Sequence, residues 1–284
     1  MVKIKIFDVD HGFCAAIEAN ECHTMLLDCG YSFRTGFRPA RYLLNHRSRH
    51  LDYLIVPAYT EGHLTGFSDL SSHFSEHYFS VDHLIANPSV NTASIPELMV
   101  RNPGTGQALR TLNNVKCSPV KIEQTIQWRN CSLSFFWNSY PDFLDIRNLS
   151  LVTFLSCQDT HIVFPSDLKA QGWRNLLKNS EFCDRLRQVN LFIASNHGQD
   201  DGYCPDIFNY CTPDLIMISN HVHRQLPAST LRQYEHHARG LRTDLGSQKV
   251  LTTRDAGTIT IHPNQTKFPQ VITHKHEIYQ YQTS

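Results

Sequence analysis

Four stretches of this chain place a metal- or proton-binding side chain directly after an apolar run: Asp28 after "MLL", His63 after "LIVPAYTEG", Asp167 after "HIVFPS" and His197 after "LFIASN". Short apolar runs bounded by turn residues read as strands, so each of the four is expected at a strand end on the edge of a sheet. Two imidazoles and a carboxylate on rigid strand ends would make a donor set for zinc, manganese or iron, with a coordination position left open. Spacing alone leaves a second reading open, in which the four are unrelated polar residues that end strands.

The elements that must position them can be read along the chain. Residues 2–9 alternate as a half-buried strand, and "AAIEANECHTMLLDCG" predicts two more strands around a turn at Asn20-Glu21. Pro39 suits the first turn of a helix through "RPARYLLNHRSRH". A strand over 51–56, a loop over 57–63, a helix through "FSDLSSHFSEHYFS" and a strand "DHLIAN" follow. Residues 87–115 read as a connection with a short helix around "IPELMVRN". Strand-like alternation returns in "VKCSPVKIEQTIQW" and "CSLSFFW", then in a hairpin turning at Gln158-Asp159-Thr160, before a helix from Leu168 to about Lys178. "NLFIASNHG" and "PDLIMISNH" read as apolar strands with a short helix near "CPDIFNYC" between them, and a helix "PASTLRQYEHHARG" precedes the strands "QKVLTT" and "GTITIHP". Strand-rich halves with accompanying helices predict an α/β fold: an αββα sandwich of two mixed β-sheets with outer helices, as a single domain over residues 1–284.

Composition excludes several function classes. With 26 basic and 26 acidic residues there is no global field to recruit nucleic acid or an anionic membrane. No apolar run is long enough to span a bilayer, and "MVKIKIFDVD" does not read as a signal peptide, so a cytoplasmic protein without membrane association is expected. Nine cysteines with no C-x-x-C pair read as reduced, mostly buried small side chains. Most of the 17 histidines lie in polar stretches and read as solvated surface.

The ordered pieces "FDVDHGFCAAI", "MLLDCG", "LDYLIVPAYTEGHLTGF", "NLSLVTFL", "HIVFPSDL", "FIASNHG", "PDLIMISNH" and "VLTTRDAGTITI" resemble the metallo-β-lactamase fold. Within it they are most similar to the soluble domain of bacterial DNA-uptake channel proteins. That branch reads D-V-G-Q-G-D-A, L-L-D-x-G, T-H-x-H-x-D-H-x-G-G, N-x-x-S-L-V-L, G-D, H-H-G-S and R-T-D-x-x-G-x-I-x-I. The resemblance runs from Phe7 to Ile261. It implies hydrolysis of phosphodiesters, nucleic acid or cyclic nucleotides at a two-metal centre.

The departures matter as much as the matches. Aligning His63-Leu64-Thr65-Gly66 on H-x-G-G puts Ala58, Thr60 and Gly62 where the family has two histidines and an aspartate, so the first metal motif is degenerate. One metal position is then expected to be empty. The other keeps His63, Asp167 and His197, with Asn196 replacing the first histidine of H-H-G-S. Glu61 and His11 are possible substitute ligands, and His221 or His223 could face the substrate beside Asp167 and His197. The centre is expected to hold one divalent metal or none. Arg34, Arg38 and Arg41 stand in a stretch without acidic residues and could grip phosphate, with Tyr31, Phe33 and Phe37 as base-stacking platforms or core anchors.

Two functions follow. In the first, a protein that has lost its two-metal site serves as a binding or regulatory subunit. Its similarity to accessory components of bacterial multi-gene systems, including defence against phage, implies a protein partner. In the second, a one-metal hydrolase of phosphodiesters, a nuclease or nucleotide phosphodiesterase, works through His63, Asp167 and His197.

Overall fold

Alternate residues of each inner strand go to different layers, and this decides the architecture. The protein was analysed as a computed structural model, which describes residues 1–9, 12–20, 23–45, 50–75, 80–103, 105–106, 109–110, 124–220, 226–263 and 268–279. The first half supplies β1 (Lys3–Ile6), β2 (Ala15–Asn20), β3 (His23–Leu27), β4 (His50–Ile55) and β5 (Ser80–Ile85). The rest supplies β6 (Thr125–Trp128), β7 (Cys131–Trp137), β8 (Leu151–Cys157), β9 (Thr160–Phe164), β10 (Leu191–Ile193), β11 (Leu215–Ile218), β12 (Leu241–Thr243), β13 (Gly246–Gln248), β14 (Val250–Thr252), β15 (Thr258–His262) and β16 (Gln270–His274). One seven-stranded sheet runs β16-β15-β1-β2-β3-β4-β5, the other β14-β11-β10-β9-β8-β7-β6, and β12-β13 form a small ribbon. Both large sheets are mixed: β3-β4-β5 and β9-β10-β11-β14 are parallel, while the other pairs are antiparallel.

Ile4, Ile17, Met25 and Leu27 of one sheet meet Leu133, Leu155, Ile162 and Leu191 of the other in a central core. The alternate residues Val152, Phe154, Val163 and Phe192 face outward onto a second core that contains Trp173, Phe182 and Leu186. These come from α5 (Ala170–Leu176) and α6 (Ser180–Gln188), with α7 (Ala228–His237) adding Tyr234. On the opposite side Leu26, Leu54 and Val56 pack with Leu43, Phe67 and Leu70 from α1 (Pro39–Asn45) and α3 (Phe67–Ser75). The layers are therefore helix, sheet, sheet, helix, as the alternation predicts.

Differences from the sequence reading are local. The loop over 57–63 ends in a helical turn, α2 (Glu61–Leu64), and α4 (Ile95–Arg101) matches the short helix expected near there. Neither α6 nor β16 was expected. The α6 segment has low apolar content and declares itself only by Phe182, Cys183 and Leu186 on one buried side, and by Asn179, whose side chain accepts from the N–H groups of Glu181 and Phe182. The cysteines are not all reduced. Cys131 and Cys157 face each other across β7 and β8 with Cα atoms 4.3 Å apart and form a disulfide. Their separation of 26 residues carries no motif, because the hairpin register alone brings them together. Cys14, Cys29, Cys183, Cys204 and Cys211 are free and buried. No described helix is long and apolar enough to cross a membrane.

Trp173 is fully buried beside Phe182 and Phe192, and its indole N–H has no hydrogen-bond partner. Trp173→Ala should cost about 3–5 kcal/mol. Trp173→Phe keeps much of the apolar volume and removes an unpaired N–H, so it should cost less. The shift of the urea midpoint measures both.

Candidate metal centre

Four strand ends meet at one edge of the sandwich. Asp28 directly follows β3 in a left-handed conformation (φ 60°), and its N–H donates to the carbonyl of Ile55 at the end of β4. His63 sits in α2, tied down where its carbonyl accepts from the N–H of Cys29 at 2.8 Å. The loop after β1 presses on the same turn: a Cβ on Gly12 (φ 114°) would lie 1.7 Å from the carbonyl oxygen of Gly62. Only glycine permits that approach. Asp167 follows β9 behind Ser166 (φ 57°), whose carbonyl accepts from the N–H of Asn196 at 2.9 Å. After β10 the chain turns through Asn196 (φ 47°), His197 (φ 57°) and Gly198 (φ 73°), three successive left-handed residues. Two of them are not glycine, a costly backbone that packing must hold and that sites often show.

Three donor atoms converge. His63 Nε2 lies 3.1 Å from Asp167 Oδ1 and 3.3 Å from His197 Nε2, and His197 Nε2 lies 3.4 Å from Asp167 Oδ1. Zinc bonds to nitrogen and oxygen are about 2.0–2.2 Å, so the edge of a ligand tetrahedron is roughly 3.3 Å. The triangle thus has the size of one face of such a tetrahedron. Each group is also held from behind. His63 Nδ1–H donates to Asp28 Oδ2 at 2.7 Å, His197 Nδ1–H donates to the carbonyl of Ser219 at 3.1 Å, and Thr60 Oγ1–H donates to Asp167 Oδ2 at 2.8 Å. With both Nδ1 atoms donating, the neutral imidazoles turn lone pairs towards a carboxylate oxygen. Three electron-pair donors face one point, and only a cation or a proton there relieves their repulsion. The chemistry of the donor set therefore fits a divalent ion.

Without an ion, the proton takes that role. Burial opposes charge on His63, but the carboxylates of Asp28 and Asp167 outweigh it and raise its pKa from 6.5 to about 10. Burial raises Asp28 to about 6 against the pull of His63. Asp167 responds in the other direction: burial is outweighed by His63, His197 and the Thr60 hydroxyl, and its carboxyl is held well below the usual range. Asp167 is thus the firm anion of the cluster and Asp28 the softer one.

His63, Asp167 and His197 come together as a set, whereas the expected site residues Glu61, Arg34, Arg38 and Arg41, which are among the described residues, do not join them. Glu61 is exposed, two residues before His63 on a helical turn, where side chains diverge to opposite sides, so it does not replace a missing ligand. His11, His221 and His223 lie outside the described residues. Arg34 binds Asp8 at 2.6 Å, Arg38 lies over the rings of Tyr31 and Phe33, and Arg41 is exposed on α1. Phe37 is fully buried against Phe7, a core anchor, while Phe33 is exposed.

Two residues with a bearing on the site were missed. Thr60 was read only as a lost ligand, and it steadies Asp167 instead. Arg147 brings its Nε to 3.9 Å from Asp167 Oδ2. Its only sequence signal is a basic residue immediately before "NLSLV". Among the described residues one other His/Asp group, His50, Asp52 and Asp82, gathers at the start of β4, at the end remote from this centre, where His23 and Trp128 also engage Asp52.

No family model and no curated protein matches the sequence. Among solved structures, the metallo-beta-lactamase fold protein YhfI from Bacillus subtilis aligns with a TM-score of 0.57, over 92% of this chain and 100% of its own, at 11% identity. Igni18, a metallo hydrolase from the archaeon Ignicoccus hospitalis, aligns with a TM-score of 0.48 over 92% of this chain and 100% of its own, at 10% identity. Zn(2+)-bound PqqB from Methylobacterium extorquens aligns at 0.41 over 67% and 71% of the two chains, at 8% identity. Identity this low speaks to the backbone and leaves activity to the site. The two mixed sheets between helical layers, together with the match to YhfI, show that this chain has the metallo-β-lactamase fold.

Proposed function

We propose that the protein holds one divalent ion at His63, Asp167 and His197 and hydrolyses a phosphodiester there. The observation that carries this reading is the triangle of donor atoms with edges of 3.1, 3.3 and 3.4 Å, each donor oriented by a hydrogen bond from outside the triangle. Ala58 and Gly62 offer no side-chain donor, and the hydroxyl of Thr60 is spent on Asp167, which supports one ion rather than two. A bound ion would polarise a phosphoryl oxygen and lower the pKa of water. The residues themselves do the positioning. Asp28 fixes the His63 tautomer, the Ser219 carbonyl fixes that of His197, and Thr60 fixes the Asp167 carboxylate. His197, with a side chain 13% exposed, is the open side of the set, while the side chains of His63 and Asp167 are 2% and 3% exposed.

That burial also favours a second reading. A centre reachable mainly past His197, with its first motif stripped of donors, suits a binding or regulatory subunit that offers the cleft to a protein partner. A bacterial multi-protein system, such as one directed against phage, is the setting the resemblance suggests. Zinc bound at about one per chain without hydrolysis of bis(p-nitrophenyl) phosphate would favour this reading over the enzyme.

Elemental analysis of protein purified without chelator should find about one zinc, manganese or iron ion per chain, and His63→Ala and His197→Ala should each lose it. No metal at saturating zinc would refute the one-ion centre.

Proton competition gives a second expectation. His63 must shed its proton before Nε2 can ligate, and its pKa is raised to about 10. Apparent zinc affinity should therefore climb about tenfold per pH unit between about pH 6 and 8, with about one proton released per ion. Asp28→Asn removes one of the carboxylates that hold this proton, so its slope should be flatter. Titration against a competing chelator reads the slope, and calorimetry in two buffers reads the proton. In chelator the sign reverses: the raised His63 pKa adds stability that is complete below about pH 6.5 and is lost as the pH rises towards about 10.

A further inference from the structure

We infer that Arg147 is the second positive charge of this centre and that its guanidinium binds a non-bridging oxygen of a singly charged phosphodiester. The inference rests on the one-ion reading for the other charge. Asp167 directs its two oxygens to different partners: Oδ1 faces His63 and His197, while Oδ2 accepts from Thr60 and faces Arg147 Nε at 3.9 Å. That distance is beyond a hydrogen bond. Arg147 Nε is nevertheless buried and has no hydrogen-bond partner, although the side chain as a whole is 40% exposed. A buried N–H left without an acceptor calls for an explanation, and this one faces Asp167 Oδ2 as an ion pair at 3.9 Å. The side chain as a whole, 40% exposed, keeps surface open for the parallel contacts by which arginine recognises phosphate.

Arg147 is also held where such a contact needs it. It lies in a short turn, Ile146–Leu149, whose start is capped by Asp145: the Arg147 N–H donates to Asp145 Oδ1 at 3.0 Å, and Lys169 donates to Asp145 Oδ2 at 2.8 Å. The Arg147 carbonyl accepts from the N–H of Ser150 at 3.1 Å and from its hydroxyl at 2.7 Å. Next, Leu151 N–H donates to the carbonyl of Pro57 at 2.8 Å, which ties this turn to the loop bearing Thr60. The segments that carry the two residues facing Asp167 Oδ2 are therefore joined by a backbone hydrogen bond.

A diester has two non-bridging oxygens, one for a divalent ion at His63, Asp167 and His197 and one for the Arg147 guanidinium.

The test is titration of zinc-loaded protein with dimethyl phosphate, a diester monoanion, followed by phosphorus NMR. Arg147→Gln should weaken binding by about tenfold or more, and Arg147→Lys, which keeps charge but not the planar fork, by an intermediate amount. Zinc content and melting temperature should match the parent protein, because Arg147 is not a ligand. Unchanged dimethyl phosphate affinity in Arg147→Gln with zinc retained would overturn the role of Arg147 and leave the one-ion reading intact. Absence of zinc from the parent protein would overturn that reading instead, and the same titration of metal-free parent and Arg147→Gln would still decide whether the guanidinium binds the diester.

Discussion

The contact between His63 Nε2 and Asp167 Oδ1 is the constraint on which the rest of the site depends. The two residues are 104 positions apart and come from different sheets, and they meet because β4 and β9 end at the same edge of the sandwich. A buried carboxylate costs several kcal/mol unless it is paired and hydrogen-bonded. Asp167 escapes that cost by drawing on both sheets at once: His63 and Thr60 from the loop after β4, and His197 from the loop after β10. The cluster therefore links the halves of the chain as well as furnishing a site.

The same grouping explains why the surrounding backbone is strained. Asp28, Ser166, Asn196 and His197 all adopt left-handed conformations without being glycine. Each sits just past a strand, where an extended chain would carry its side chain along the sheet edge instead of back over the core. A reversal of the backbone at that point brings the Asp28 and His197 side chains against His63, while Asn196 Nδ2–H donates to Asp201 Oδ1. Gly12 and Gly62 complete the arrangement by letting the loop after β1 pass against α2 with no side chain between them. Donor convergence and backbone strain are thus two consequences of one packing arrangement.

Much of the fold was legible because alternation is a local signal. Phe135 and Phe136, or Ile162 and Val163, are adjacent in sequence and belong to different cores, as a two-sided strand requires. The order of apolar runs and polar strand ends likewise marked Asp28, His63, Asp167 and His197. Illegible features were those set by register or by long-range contact. The Cys131–Cys157 bond follows from hairpin pairing, and α6 gains its apolar side only from the sheet it covers. Thr60 looked like a ligand removed, because nothing local shows that its hydroxyl reaches a carboxylate 107 residues away.

The sequence by itself determined the layers and the residues presented at the edge, since strand periodicity and the types of strand-end residue are properties of short segments. Tertiary structure alone decided how those residues are used. It set His63, Asp167 and His197 into a triangle of metal-ligand size, moved Glu61 away from it, and brought Thr60 and Arg147 to the far oxygen of Asp167. The physical reason is that donor geometry, desolvation and pKa depend on distances between segments far apart in the chain, and those distances exist only once two sheets have packed face to face.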